Sequence, residues 1–213
     1  MLSFLDFVGS DPRALVFAAA TRNQELTSVV KGKSDAHELV WSIGDETFSL
    51  SGKAAVVVSS SLAGRFGSGP RNIALPSNLT SDDFWQTERA RLWKELSPSY
   101  RASWTWPNSA EKRSTNDVNA LSSTLQKSSI RSSVSVLPNS FAVTSLNAID
   151  PSDASLPEDL KMTHLAAFDN FCLLVFRVTK VEHFIYNTKD GIPVRNLYTC
   201  ARDGQWNVES LNP

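Results

Sequence analysis

The first half of the chain alternates between short apolar runs and polar turns. Gly9-Ser10-Asp11-Pro12 and Gly44-Asp45 are turn-forming segments that separate runs of apolar and β-branched residues. These runs predict four strands, at residues 2–8, 14–20, 37–41 and 47–58. Short strands joined by tight turns are typical of an antiparallel meander or barrel.

Two stretches have the spacing and the end signals of helices. A short helix is predicted over residues 23–31, whose apolar positions recur on one face. A longer helix is predicted over residues 81–96, because Thr80 or Ser81 can cap its first turn. Ser97-Pro98 is expected to end this second helix, since the residue before a proline avoids helical geometry.

The second half of the chain divides into a polar stretch and a further group of strands. Ser, Thr and Asn dominate residues 113–157, where aromatic residues are few. That composition favours a long surface excursion or a partly disordered insertion over a packed core. Beyond it, apolar runs predict four more strands, at residues 171–178, 181–186, 195–200 and 206–211.

Length and charge restrict the class of protein. The 213 residues, 41% of them hydrophobic and 20% charged, suit one domain over residues 1–213 better than two. The net charge of −1 gives no electrostatic reason to bind nucleic acid or anionic lipid. No apolar run approaches the roughly 20 residues of a membrane-spanning helix, and no positive charge precedes Arg13 as in a signal peptide. We therefore expect a cytoplasmic protein without nucleic-acid or membrane partners.

Motifs for metal binding or nucleophilic catalysis are absent from the sequence. The Ser59-Ser60-Ser61 run has no GxSxG context, and Gly64, Gly67 and Gly69 lack the spacing of a phosphate-binding loop. This stretch is predicted to be a flexible connection. The histidines are too scattered for metal-ligand spacing: His37, His164 and His183. We expect neither a metal site nor a catalytic triad.

The two cysteines give no sign of a disulfide framework. Cys172 and Cys200 lie in apolar stretches and do not have CxxC spacing. Free cysteines in such stretches usually behave as small hydrophobic side chains. Both are therefore predicted to be buried free thiols.

Two regions carry a more specific pattern. FWQTERARLWKELSPSYRASWTWP spans residues 84–107, with landmarks at Arg89, Trp93, Arg101 and Trp106-Pro107. NFCLLVFRVTKVEHF, PVRNLY and GQWNVESLNP follow near the end of the chain, and LVFAAATRNQEL and ELVWSIGDETFSLSGKA match more weakly upstream. Together these segments resemble the pyridoxamine 5'-phosphate oxidase-like FMN-binding split-barrel family.

The resemblance implies both a fold and a function. The fold would be mainly β (α+β), an antiparallel split β-barrel with flanking helices that forms a two-fold homodimer. The function would be that of an FMN-dependent oxidoreductase, with FMN and a small-molecule ligand in the clefts between subunits. Met1 falls inside the family's second strand, so an earlier strand is expected to be missing or rebuilt.

The resemblance assigns cofactor contacts to Arg22, Ser51 and Arg195. Arg22 would hold the flavin phosphate, because a dianion that leaves water needs cationic partners, and Arg195 would reach across the dimer. The residues by themselves allow other interpretations. Arg22 could be a surface arginine near a helix start, and Arg195 could form a strand-edge ion pair with Glu182.

The chain departs from the family's phosphate-binding pattern at five positions, Leu5 (or Asp6 beside it), Ala19, Glu25, Thr47 and Ser49. An arginine is expected at Leu5, and the family's Thr and Lys are replaced by Ala19 and Glu25. Thr47 and Ser49 replace its Gln and Arg. A close charge pair is worth about 4 kcal/mol at an effective dielectric near 20, so exchanging Lys for Glu turns attraction into similar repulsion. The sequence thus predicts an eroded flavin-phosphate site.

Two other functions remain open at this stage. In one, the cleft has lost FMN and binds or transforms an uncharged small organic molecule, which a more apolar pocket would suit. Glu25 is then the one candidate catalytic residue, as a general acid or base whose pKa burial would raise, unless it is a solvated helix residue. In the other, the protein is a structural or partner-binding dimer whose tryptophans form an interface, although core packing would explain them as well. These are Trp85, Trp93, Trp104 and Trp106.

Overall fold

The structure is a computed structural model that describes residues 2–23, 26, 29, 37–67, 69–70, 73, 75, 79–106, 145–148, 155 and 157–213. The elements of these residues, in chain order, are β1 (Ser3–Val8), β2 (Asp11–Ala20), β3 (His37–Ile43), β4 (Glu46–Val57), a 3-10 helix (Ser60–Leu62), α1 (Ala63–Phe66), α2 (Ser81–Glu95), α3 (Pro98–Ser103), α4 (Glu158–Asn170), β5 (Phe171–Ile185), β6 (Val194–Cys200) and β7 (Trp206–Leu211).

The strands form one antiparallel sheet built around β5. Within the described part of the chain the sheet has seven strands in the order β1-β2-β5-β4-β3, and β6 and β7 continue from β5. The first half of β5 pairs with β2, the second half pairs with β6, and β4 runs along both halves. The predicted mainly β, antiparallel fold with flanking helices is confirmed.

Strand β5 is longer than the sequence predicted. Two strands were predicted at residues 171–178 and 181–186, whereas the structure has the single strand Phe171–Ile185. A β-bulge replaces the expected break, because Ser51 pairs with Lys180 while Gly52 pairs with Val178. Thr179 is therefore the extra residue, and its Oγ1 donates to the Ser51 carbonyl at 3.2 Å. The bulge bends the strand without ending its pairing.

The sheet has a core on each face. Along β2, Val16 and Ala18 pack into a cluster with the helices, while Leu15 and Phe17 pack into a second cluster on the opposite face. This alternation follows from the two-residue period of a strand, and it explains why β2 is buried on both sides. The helix-side cluster includes three of the four tryptophans considered for an interface, so these serve the core: Trp85, Trp93 and Trp104.

The predicted helix at residues 81–96 is confirmed as α2, and Thr80 caps it. The Thr80 hydroxyl accepts a hydrogen bond from the Asp83 amide at 3.2 Å. Ser97-Pro98 does end this helix, but the same pair begins α3, where Ser97 Oγ accepts from the Tyr100 amide at 3.3 Å. Proline is well suited to the first turn of a helix because it needs no amide donor there.

Other predictions about helices need correction or lie outside the described residues. Helix α4 was not predicted, although Glu158 and Asp159 occupy its first turn, where acidic residues complement the helix dipole. The expected flexible connection over 59–69 instead contains the 3-10 helix and α1. Most of the predicted helix 23–31 lies outside the described residues. None of the described helices has the length and apolar character needed to cross a membrane.

The insertion predicted over residues 113–157 lies largely outside the described residues. Leu146, inside that range, is 2% exposed and belongs to the helix-side core. The prediction that this range lies only on the surface is therefore wrong for Leu146. Its carbonyl accepts from Arg101 Nε at 2.8 Å, and its amide donates to the Pro98 carbonyl at 2.9 Å. This short segment is therefore part of the packed domain.

Arg89, one of the landmarks of the resemblance, has a structural role. Arg89 is 1% exposed and donates through Nε to the Phe171 carbonyl at 3.0 Å and through Nη2 to the Phe168 carbonyl. Its guanidinium lies 3.9 Å from the centroid of the Phe168 ring. Burial lowers the pKa of Arg89 to about 10, with Asp169 opposing this. Arg89 thus joins α2 to the junction of α4 and β5 through carbonyl groups.

Candidate functional site

The candidate cofactor residues of β4 and β6 lie on one face of the sheet. Thr47 and Ser49 are paired with Phe184 and Glu182 of β5, and Phe184 is paired in turn with Arg195 of β6. Because alternate residues of a strand share a face, these side chains point to the same side, as does that of Ser51. We call this surface the outer face.

Glu182 is the electrostatic centre of the outer face. Its carboxylate accepts from Lys180 Nζ at 2.9 Å and from Arg195 Nη2 at 2.8 Å. These hydrogen bonds, that of Lys180 first, lower the pKa of Glu182. The sequence-based alternative for Arg195, an ion pair with Glu182, is confirmed. Glu38 adds a second carboxylate, which accepts from Ser49 Oγ. The neighbourhood of Glu182 thus holds carboxylates and cations that already engage polar partners of the same face.

The hydroxyl groups of the outer face are engaged with neighbouring strands. Thr47 Oγ1 lies 3.3 Å from Ser42 Oγ of β3. The Ser51 carbonyl is held by Thr179 at the bulge, and the Ser51 side chain is half-buried. Ser51 therefore lies beside the β-bulge, where a ligand could contact its half-buried side chain.

Arg22 lies in a different place, at the end of β2 beside the helices. Its Nη2 donates to the Trp104 carbonyl at 2.7 Å, and Asn170 Nδ2 donates to the same carbonyl at 3.1 Å. The Thr21 amide in turn donates to the Asn170 carbonyl at 2.9 Å. Arg22 is half-buried, so it is not the fully exposed arginine that the alternative interpretation expected.

One chain does not bring the three candidate cofactor residues together. Arg22 follows Ala20, which pairs with Phe171 at the start of β5, whereas Ser51 pairs with Lys180 nine residues further along. At the rise of a β-strand this separation is roughly 30 Å. Arg22 therefore belongs to one end of the sheet, and Ser51 and Arg195 belong to the other.

The positions that depart from the family pattern offer no further cations. Ala19 is 4% exposed and packs in the core, and Leu5 packs partly buried against the helix-side cluster. Glu25 lies outside the described residues. A phosphate dianion leaving water needs paired cations, but of the family positions that the structure describes only Arg22 and Arg195 carry a positive charge, and Arg195 is already paired with Glu182. The fit of the described residues to the FMN phosphate is therefore incomplete.

Two of the three histidines, His164 and His183, take structural positions. His164 is 3% exposed on α4, and His183 stacks on Phe48 with its Nε2 2.8 Å from a Glu46 carboxylate oxygen. Among the residues that the structure describes, no three His, Cys, Asp or Glu side chains form a group that could hold a metal ion. Of the two thiols, Cys172 is buried as predicted, but Cys200 is only half-buried.

One charged cluster escaped the sequence analysis. Asp11 was assigned to a turn, yet it begins β2 and is 3% exposed between Arg13 and Arg177. Arg177 comes from β5, 166 residues later in the chain. No local pattern signals this pairing, because it exists only once β2 and β5 are side by side.

Comparisons with known proteins agree with this architecture. No family model matches the chain, and no curated protein matches it. A solved structure of a pyridoxamine 5'-phosphate oxidase-related, FMN-binding protein from Nostoc punctiforme PCC 73102 superposes with a TM-score of 0.59 at 19% identity, covering 100% of this chain and 78% of that one. PhzG from Burkholderia lata 383, solved with tetrahydrophenazine-1-carboxylic acid, superposes with a TM-score of 0.48 at 16% identity, covering 100% and 73%. The chain therefore has the split-barrel fold of the pyridoxamine 5'-phosphate oxidase-related protein, as the sequence resemblance predicted.

Proposed function

We propose that the chain is a pyridoxamine 5'-phosphate oxidase-like, FMN-dependent oxidoreductase of the cytoplasm with a weakened hold on the flavin phosphate. The observation that supports it is the fold, shared over the whole chain with a protein described as FMN-binding. Bound flavin would carry the electrons, and the protein would supply binding and orientation. Fold likeness alone does not carry function, so the residues of the site matter.

Arg22 is the residue of this chain best suited to an anionic group of the cofactor. Its contact with the Trp104 carbonyl fixes the orientation of the guanidinium, and a fixed arginine loses less entropy when it binds an anion. Arg195 would have to exchange its partner Glu182 for the ligand. Affinity for FMN should therefore be lower than a site with several unengaged cations would give.

The proposed homodimer would account for the distance between Arg22 and the outer face. A two-fold partner could bring its Ser51 and Arg195 toward Arg22, which a single chain does not. Val40, whose partner in β4 is Ser49, is 67% exposed on the outer face. A contact between subunits at this face would bury that side chain. The proposed ligand site is the cleft between the two subunits.

The visible spectrum of the purified protein tests the cofactor directly. A flavin band, or its appearance on adding FMN to the colourless protein, is the expected result. The double variant Glu25→Lys with Ser49→Arg should bind FMN more tightly, because it adds cations where the family has them. Asp203→Lys with Ser99→Arg makes the same change in net charge elsewhere and should leave FMN affinity unchanged. If neither the original protein nor the double variant binds FMN, the proposal is refuted.

The second candidate is a cleft without FMN that holds an uncharged organic molecule. The observation in its favour is that Lys180 and Arg195, the two cations beside Glu182 on the outer face, are already engaged by its carboxylate. Glu25 would then be the candidate acid or base. A colourless protein that does not take up FMN, together with a neutral ligand recovered from it by mass spectrometry, supports this alternative. Loss of turnover of that ligand in Glu25→Gln, with binding retained, would assign the role of Glu25.

A further inference from the structure

A concave surface lies on the opposite side of the sheet from the outer face. It is a pocket of about 500 Å³, within the size range of small-molecule sites. Aromatic side chains from four strands converge on it: Phe7, Trp41, Phe48 and Trp206. Three of these are unusually exposed for aromatic residues, Phe7 at 48%, Trp41 at 42% and Trp206 at 37%. The convergence of exposed rings on one cavity indicates a binding surface.

Arg13 is the single charged residue in the wall of this pocket among the residues described. Its Nε and Nη2 donate to the two oxygens of Asp11 at 2.7 and 3.1 Å. Arg177 Nε donates to the same carboxylate at 3.1 Å. The Asp11 carboxylate is 3% exposed, while the Arg13 side chain is 24% exposed. Water and ligands therefore reach the arginine but not the carboxylate.

The cluster carries one positive charge in excess. Its hydrogen bond with Arg13, more than any other contact, lowers the pKa of Asp11 against the opposing effect of burial, so the carboxylate stays ionised. One carboxylate then faces two guanidinium groups. Because Asp11 can neutralise only one of them, the wall of an otherwise apolar pocket keeps a net positive charge.

One donor of Arg13 is poorly used. Nη1 donates to Cys200 Sγ at 3.1 Å, and a thiol sulfur is a weak acceptor. A carboxylate oxygen is a much stronger acceptor for a guanidinium N–H. An anionic ligand group placed at the wall would thus gain a charge-assisted hydrogen bond at the cost of a weak one.

We propose that this pocket binds a flat aromatic molecule that carries a carboxylate. The rings of Trp41, Phe48 and Trp206 would contact the aromatic part, and Arg13 would take the carboxylate. Nothing in the resemblance assigns this side of the sheet to FMN, so the proposal does not rest on the proposed function. It gives the protein a second ligand site, separate from the cleft between subunits.

Titration with 2-naphthoate, followed by calorimetry and by tryptophan fluorescence, tests the proposal. The neutral isostere 2-naphthamide is the matched ligand. Naphthoate should bind at least about tenfold more tightly, since a charge-assisted hydrogen bond is worth more than a neutral one by roughly 1.4 kcal/mol. Equal affinity of the two ligands, or binding of neither, would overturn the proposal.

Charge variants locate the site. Arg13→Gln should abolish the preference for naphthoate, and Arg177→Gln, which leaves the pocket wall intact, should weaken it by removing the excess charge. Asp11→Asn should strengthen naphthoate binding, because it leaves both arginines uncompensated. Arg202→Gln removes an exposed arginine outside the pocket and is the control. If Arg202→Gln reduces the preference as much as Arg177→Gln does, naphthoate responds to the overall charge of the protein and the assignment fails.

The variants also distinguish a change in binding at this site from a loss of folded structure. Circular dichroism of each variant reports its fold, and Arg177→Gln and Asp11→Asn must change naphthoate affinity in opposite directions. Loss of structure would lower affinity in both. Addition of FMN should leave naphthoate affinity unchanged, whether or not FMN binds, and competition between the two ligands would contradict a separate site.

Discussion

Replacement of Gly52 by alanine is the sharpest test of the sheet that positions the outer face. Gly52 follows Ser51 at the β-bulge and pairs with Val178 of β5. A Cβ atom built on Gly52 would lie 2.2 Å from the Arg177 carbonyl oxygen and 3.1 Å from Cε1 of Phe176. The first of these atoms belongs to the backbone, so a rotamer change cannot relieve the contact.

The expected loss of stability follows from that geometry. Carbon and oxygen atoms in contact normally stay more than 3 Å apart, so β4 and β5 would have to separate by about 1 Å at the bulge. Overpacking in a core of this kind costs about 1–3 kcal/mol, and loss of one hydrogen bond of the ladder adds about 1 kcal/mol. We expect Gly52→Ala to lower the free energy of unfolding by about 3 kcal/mol.

Urea unfolding followed by circular dichroism measures this loss, with the slope checked so that midpoints can be compared. Gly9→Ala is the control, because a Cβ on Gly9 would meet nothing within 4 Å. The control should stay within about 0.5 kcal/mol of the original protein. If Gly52→Ala is as stable as Gly9→Ala, β4 and β5 do not approach each other as closely at the bulge as the structure indicates.

Two further predictions concern titratable groups. Burial, and to a smaller extent the Arg101 guanidinium, lowers the pKa of His164 below 6.5. Above pH 6.5 the neutral His164 therefore contributes stability, and this contribution is lost as the pH falls through the pKa of the folded state. Between pH 7.5 and 5.5 the free energy of unfolding in urea should fall less in His164→Gln than in the original protein. An equal fall in the two proteins would contradict this. Burial also raises the pKa of the Cys172 thiol to about 12, whereas Cys200 is half-buried. Ellman's reagent should therefore modify one thiol of the native protein, which Cys200→Ser removes, and two thiols after unfolding; two reactive thiols in the native state would be the contrary result.

Local patterns predicted the strands better than they predicted their ends and breaks. The closing strand Trp206–Leu211 has the predicted bounds, and β1 differs by one residue. The strand β2 begins three residues earlier than predicted, because Asp11 is held in the sheet by Arg177. The supposed gap near residue 179 is a bulge within β5, which depends on the partner strand β4. The same local sequence can therefore form a turn or a strand, and a residue far away in the chain determines which of the two it forms.

The candidate site shows the same division. The sequence identified Arg22 and Arg195 as the cations to examine, and it anticipated the partner Glu182 of the second. It did not anticipate that Trp104 would hold Arg22, since these residues lie 82 positions apart. Helix α4 was missed because its surroundings are polar, although its buried side packs against β5.

The amino-acid sequence by itself determined the class of this protein, because the two-residue alternation of strands, the capping of α2 and the family landmarks are local properties. Tertiary structure decided which charges meet. Arg177 donates to Asp11, Arg195 donates to Glu182, and Arg22 donates to the Trp104 carbonyl. These contacts form only after β5 has brought distant strands and helices side by side. The energy of a charge depends on neighbours within a few ångströms, and folding rather than order along the chain selects those neighbours.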